Sequence, residues 1–179
     1  FTPITEKLAE SGKEGAEWRT NIINEYFRRM LDIAADYGGG NVKFGGDALL
    51  LLFQNKNHAA RAVTAASLMQ RATQQFAAFH AGRNRVHLRM TTAVHSGAFH
   101  SAVAGLPGQQ MQHFLLGANI SRVNEIQASA TAGELVISGD IRRLVGELCI
   151  TESRANNYLV SRLNKRLIPS RITPRDLAV

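Results

Sequence analysis

Tyr37-Gly38-Gly39-Gly40-Asn41-Val42-Lys43-Phe44-Gly45-Gly46-Asp47-Ala48-Leu49 reads as the end of a helix followed by a β-hairpin. Gly38, Gly39 and Gly40 stop the helix, because a residue without Cβ readily takes the left-handed conformation a helix end needs. Two short strand candidates, Asn41–Phe44 and Ala48–Phe53, flank Gly45-Gly46-Asp47. Glycine beside aspartate is the composition of a tight hairpin turn. Small residues there let the backbone come close to a ligand. Asp47 can reach solvent from the turn and offer hard oxygens to Mg2+, with Lys43 a cationic donor four positions earlier. Short matches of this kind arise by chance, so the hairpin alone is a weak signal.

Upstream, residues 15–36 carry Trp18, Ile22, Ile23, Tyr26, Phe27, Met30, Leu31, Ile33 and Ala34 at helical spacing with charges between them. That pattern predicts an amphipathic helix. Downstream, His58 to about Phe79 reads as a second, alanine-rich helix. Val86–Val94 alternates as a strand does, and His95-Ser96-Gly97 turns it towards a partner strand, Ala98–Ala104. His113–Leu116 is a further strand, Asn119–Ala128 a third helix and Glu134–Ser138 a strand, with Ile141–Leu148 and Ala155–Leu167 read as helical. Helices alternating with hairpins predict an α+β fold, a largely antiparallel sheet covered by helices. The domain is expected over 1–150, with 151–179 a basic C-terminal helix or linker containing Pro169 and Pro174.

A chain of 179 residues suffices for one domain with a substantial core. Its 45% hydrophobic and 20% charged residues place it among folded rather than disordered chains. The apolar run Ala48–Phe53 is too short to cross a bilayer, and no signal-peptide pattern occurs. The one cysteine, Cys149, excludes an intramolecular disulfide and fits a reducing, cytoplasmic setting. Net charge is +7, much of it in 151–179, where Arg154, Arg162, Lys165, Arg166, Arg171 and Arg175 face only Glu152 and Asp176. No interleaved aromatic platform is present for bases to stack on, so this stretch reads as a solvated tail and not a nucleic-acid surface. The histidines at His80, His87, His95, His100 and His113 lack the i, i+4 spacing of a helical zinc pair. Ser96 and Ser101 have no nucleophile elbow around them.

Phe1-Thr2-Pro3-Ile4-Thr5-Glu6, the Gly39–Leu49 stretch, Ala93-Val94-His95-Ser96-Gly97 with Val103-Ala104-Gly105, Gly117-Ala118-Asn119-Ile120, and Gly133-Glu134-Leu135-Val136-Ile137-Ser138 follow one another in order. Together they resemble the Phe-Thr-x-Leu-Thr-Glu, Gly-Gly-x-x-x-Lys-Phe-x-Gly-Asp-x-Leu, Gly-x-His-x-Gly, Val-x-Gly and Gly-x-x-Val segments and the following strand of class III adenylate and guanylate cyclases. The likeness is closest to the soluble, bicarbonate-responsive branch, often built as two cyclase domains in tandem. It implies a ferredoxin-like core and an adenylate cyclase that converts ATP to 3′,5′-cyclic AMP and pyrophosphate with Mg2+ or Mn2+. The site it implies is shared between two cyclase domains. Asp47 matches one metal aspartate; the other is expected a few residues before Phe1, and the sequence is expected to start within an element. Backbone amides of Phe1 and Thr2 would cradle phosphates, as helix N-termini do. Gly45 and Gly46 would face the nucleotide, and Lys43 would donate to an unprotonated adenine nitrogen.

Other positions depart from the pattern. Ser121 and Glu125 stand where the resemblance implies an asparagine and an arginine that orient the ribose and stabilise transition-state charge. A glutamate facing a triphosphate repels it, so no catalytic side chain is assigned. Arg122 is a neighbouring cation. Phe114 or Leu115 falls where the lysine's base-reading partner is implied, and neither side chain accepts a hydrogen bond. The chain is therefore expected to supply the metal side of a site completed by a second cyclase domain, in a tandem or a homodimer. Bicarbonate is a candidate anion for the degenerate half-site beside Lys43. The alternative is a catalytically degenerate cyclase-like regulatory or dimerisation module. A third reading is a diguanylate cyclase, whose Gly-Gly-Asp-Glu-Phe hairpin is similar to Lys43–Asp47, although Ala48-Leu49 follow here.

Overall fold

A computed structural model describes residues 12–75, 79–81, 84–86, 88–106, 111–165 and 167–169. Phe1 and Thr2, His87, residues 170–179, and the side chains of Trp18, His80 and His113 lie outside the described residues. Helix α1 (Gly12–Asp36) turns Tyr26, Met30, Ile33 and Ala34 inward, with Tyr37 just beyond its end, a stripe of helical period. Its outer face carries Arg28 bridged to Glu25 and to Asp32. The chain leaves α1 through Gly38, which sits at φ 69, a left-handed exit that glycine takes without strain.

Strands β1 (Gly39–Gly45) and β2 (Ala48–Phe53) then pair antiparallel. Helix α2 (His58–Gln75) follows, with a short hairpin of β3 (Phe79–Ala81) and β4 (Asn84–Val86) after it. Next come β5 (Thr92–Val94), the hairpin of β6 (His100–Gly105) and β7 (Met111–Leu116), and helix α3 (Ala118–Ala128). The chain goes on through β8 (Leu135–Ser138), helix α4 (Gly139–Val145), β9 (Cys149–Arg154) and β10 (Asn157–Leu163). One four-stranded sheet has the order β5-β8-β10-β9, parallel only between β5 and β8. The fold is α+β with mostly antiparallel pairing, as the alternation of helices and hairpins predicts.

Helix α2 organises the interior. Ala65, Met69 and Ala72 join the α1 stripe and Leu49, Leu51 and Phe53 of β2 in one core. Ala59, Val63 and Ala66 join Leu135 and Ile137 of β8, and Ile141 and Val145 of α4, in another. Alanine on both faces lets α2 approach two sets of neighbours closely, which bulkier residues would hold apart. All four residues of β8 are buried, and the apolar run Leu135-Val136-Ile137 replaces alternation there.

Several sequence expectations change. Val86–Val94 is not one strand: β4 ends at Val86, and β5 begins only at Thr92. The Ala98–Ala104 segment does not pair with it, because β5 aligns with β8 and β6 with β7. The second helix ends at Gln75, and Phe79 belongs to β3. Ala155–Leu167 is not helical. Leu159 and Leu163 have helical spacing, but Asn157–Leu159 pair with β8 and Asn157–Leu163 with β9, satisfying the backbone in a sheet. Strands β9 and β10 lie across and beyond residue 150 and pair in the same sheet as β8.

Candidate functional site

The β1–β2 hairpin closes on Gly46 and Asp47 alone, with Gly45 opposite Ala48. Gly46 sits at φ 65 while Asp47 does not take positive φ, the pattern of a type II′ turn with glycine first. Open space lies where a Cβ would point from Gly45 and Gly46, so the backbone there is approachable. Asp47 and Lys43 are both exposed.

Which way Lys43 points is decided by an irregularity in the ladder. Asn41 faces Leu51 and Lys43 faces Leu50, leaving Val42 as an extra residue, a β-bulge. Leu49, Leu51 and Phe53 pack into the core under the helices, so Phe44, Asn41 and Gly39, paired to them, share that side. Phe44 meets Phe27 of α1 edge to face at 5.8 Å, and the Phe53 ring occupies the space a Cβ on Gly39 would need. Simple alternation would put Lys43 on the helix side with Asn41. The bulge shifts it to the opposite face, beside Leu50. Helix α1 thus supports the hairpin through Phe27. Burial raises the Tyr26 phenol's pKa, and the negative charge of Asp47 adds to the effect.

Asp47 offers two hard oxygens at an exposed turn, a donor set that suits Mg2+ or Mn2+ as one contact among waters and phosphate oxygens. Among the described residues no three His, Cys, Asp or Glu side chains converge on a metal position. The turn therefore fits as one contributor and not as a complete cage.

Helix α3 presents the other half of the implied machinery. Gly117 precedes it at φ 131, and no side chain caps its first turn. Ser121 and Glu125 lie one turn apart, both exposed. Arg122 donates to Glu125 at 3.0 Å and to Asn157 Oδ1 at 2.9 Å. The cation available as a substitute is thus engaged within the fold, and the carboxylate that replaces the implied arginine has its own partner. Phe114 and Leu115 sit on β7 opposite Ala102 and Ser101, with Phe114 41% exposed and no side-chain acceptor of its own.

His95 anchors this helix. Its ring lies between Asn119 Oδ1 on Nε2 and Ser138 Oγ on Nδ1, both at 2.9 Å. Asn119 also donates to the Ala98 carbonyl and fills the space beside Gly97, where a Cβ would come within 2.4 Å of it. The Ser138, His95 and Asp140 grouping is not a nucleophile relay. Ser138 is 2% exposed and its oxygen also caps α4 at Ile141, while Asp140 reaches only the same ring nitrogen, at 3.9 Å. On the other side of β5, Ser96 meets Nε2 of His58 at the start of α2. Cys149 is buried, and burial pushes its thiol pKa up, which keeps it unreactive.

Sequence reading marked the residues on the hairpin and on α3. It missed the bulge at Val42 and the role of Arg61, a buried arginine on α2 that touches the root of the hairpin. No periodicity flags either one. Among the described residues no helix is long and apolar enough to cross a membrane.

Comparison with known proteins bears on this architecture. No curated protein gives a significant sequence match. Among solved structures, the adenylyl cyclase CyaB from P. aeruginosa superposes with a TM-score of 0.72 at 23% identity, covering 90% of each chain. The guanylyl cyclase Cya2 gives 0.72 at 21% identity, over 94% of this chain and 91% of that one. The guanylate cyclase domain of RhGC from Catenaria anguillulae, solved in complex with GTP, gives 0.68 at 20% identity over 79% and 82%. At such identities the likeness establishes the fold. The profile of the Adenylate and Guanylate cyclase catalytic domain matches residues 1–166, and the chain belongs to that family.

Proposed function

We propose that this domain is the metal-bearing half of an adenylate cyclase, acting with a second cyclase domain to convert ATP to 3′,5′-cyclic AMP and pyrophosphate. The observation that carries this reading is the hairpin: Asp47 at an exposed II′ turn, and Lys43 turned by a bulge onto the face away from the helices. Mg2+ or Mn2+, when bound, supplies activation of the ribose 3′-hydroxyl and neutralisation of triphosphate charge. Asp47 would hold that metal. Gly45 and Gly46 leave room for the nucleotide, and the amides of Phe1 and Thr2 would receive its phosphates. Lys43 would serve the other composite site, donating to an adenine ring nitrogen, or holding an anion such as bicarbonate where that site is degenerate.

Lys43→Glu tests the base assignment. If the composite site that Lys43 serves turns over, an acceptor in place of a donor should reduce the ATP-over-GTP preference of the full-length protein by about tenfold or more, read as products by HPLC with Mn2+. An unchanged ratio removes Lys43 from base reading.

A second reading, a regulatory or dimerisation module without turnover, is favoured by the Arg122, Glu125 and Asn157 network on α3. Cyclic nucleotide formation that is lost in Asp47→Ala would exclude it. Absence of any Asp47-dependent product in the full-length protein would support it.

A further inference from the structure

Arg61 takes no part in the chemistry proposed above, yet it is a buried guanidinium, 8% exposed. Burying an arginine is costly, and an apolar side chain of similar size would fill the space without that penalty. Its two terminal nitrogens reach three main-chain carbonyls. Nη1 donates to Tyr37 at 2.9 Å and to Gly38 at 3.2 Å, and Nη2 donates to Gln54. Tyr37 and Gly38 immediately precede β1, and Gln54 immediately follows β2. One planar group on α2 therefore ties together both ends of the open side of the hairpin.

The need for such a tie is visible in the sequence of the root. Gly38, Gly39 and Gly40 carry no side chains with which β1 could anchor itself. The carbonyls at the end of α1 are also the negative pole of that helix, where a cation is favoured. A guanidinium meets several acceptors in a fixed fork, which an ammonium on a flexible stem does not reproduce. Near the other end, the Phe27–Phe44 contact supports the hairpin from α1.

We propose that Arg61 is a positioning residue for the Asp47 turn. This rests on the reading of Asp47 as a metal ligand. The hairpin is a lever: at about 3.3 Å per residue, seven residues separate root and tip by roughly 20 Å. A tilt of about 3° at the root then moves the turn by ~1 Å, a misplacement that costs on the order of 100-fold in catalysis.

The test uses Arg61→Met and Arg61→Lys in the full-length protein, with Mn2+ alone as probe and free Mn2+ measured by electron paramagnetic resonance. Arg61→Met should raise the Asp47-dependent Mn2+ Kd about tenfold, and Arg61→Lys should recover only part of it. General destabilisation would lower the number of binding-competent molecules and leave the Kd of the folded ones unchanged. A cooperatively melting Arg61→Met protein with wild-type Kd overturns the proposal. If that variant does not fold, a wild-type Kd in Arg61→Lys overturns it equally. Asp47→Ala separates the two layers: no effect on Mn2+ there defeats the metal reading itself. Loss of Mn2+ in Asp47→Ala with no effect in either Arg61 variant defeats only the role given to Arg61.

Discussion

The β1–β2 hairpin and the first turns of α3 are the two places where this family's chemistry is expected, and they are built in opposite ways. On the hairpin, groups from the helices hold the strands: Arg61 grips the carbonyls at the root, and Phe27 packs on Phe44. Lys43 and Asp47 stay exposed at the working end. On α3 the charged side chains face one another. Arg122 is shared between Glu125 and Asn157, and Asn119 is held by His95. Under the proposed function the hairpin is the part that works on a ligand, and α3 is not.

The largest expected effect breaks that contrast at the hairpin. Asp47→Ala should lower Mn2+-dependent turnover of the full-length protein on the order of 100-fold or more, as loss of a charge-stabilising group does. Its melting temperature should stay near wild type, since Asp47 is an exposed turn residue. A variant with wild-type turnover would place the metal elsewhere.

Next, Ser121→Asn with Glu125→Arg sharpens the contrast by restoring on α3 the residue types the family pattern implies. If α3 is silent only because of those two positions, the double variant should gain at least about tenfold in product formation over the parent. No gain, in a protein that still folds, would mean that the helix is misplaced as well as miswritten.

Gly97→Ala addresses the anchor under α3. The added methyl would lie 2.4 Å from Asn119, so Asn119 must move and loosen its bond to His95. Urea unfolding should show a loss of about 1–3 kcal/mol, typical of overpacking. An unchanged midpoint would show that the helix start tolerates displacement.

The smallest effect lies outside both regions. The Glu134 carboxyl is held down to about 2 from an ordinary 4.5, first by the Thr131 backbone N–H at 2.7 Å and then by Arg154. A depressed carboxyl pKa contributes stability that is fully present above 4.5 and is lost as pH falls towards 2. Glu134→Gln should flatten the stability profile in that window and change little at neutral pH beyond the lost pairing. An equally steep profile in the variant would shift acid sensitivity to other carboxyls.

Much of the fold was legible because it rests on periodicity and turn chemistry. The α1 stripe from Tyr26 to Tyr37, the glycine stop and the Gly46-Asp47 turn are local, and each appears where the sequence expects it. The C-terminal strand β10 was not legible. Its Leu159 and Leu163 suit a helix as well as a strand, and only pairing with β8 and β9 separates the two.

The candidate site divides along the same line. The sequence by itself determined which residue types stand at the decisive positions: a lysine and an aspartate on the hairpin, and a serine and a glutamate on α3. Only the tertiary structure decided what they can do. The extra residue at Val42 turns Lys43 to the open face, although alternation alone would put it under the helices. Arg122 is engaged because Asn157, 35 positions away, comes to lie beside it. Spacing along a chain specifies local geometry, while the direction of a side chain and the satisfaction of its charge depend on partners the chain supplies from elsewhere.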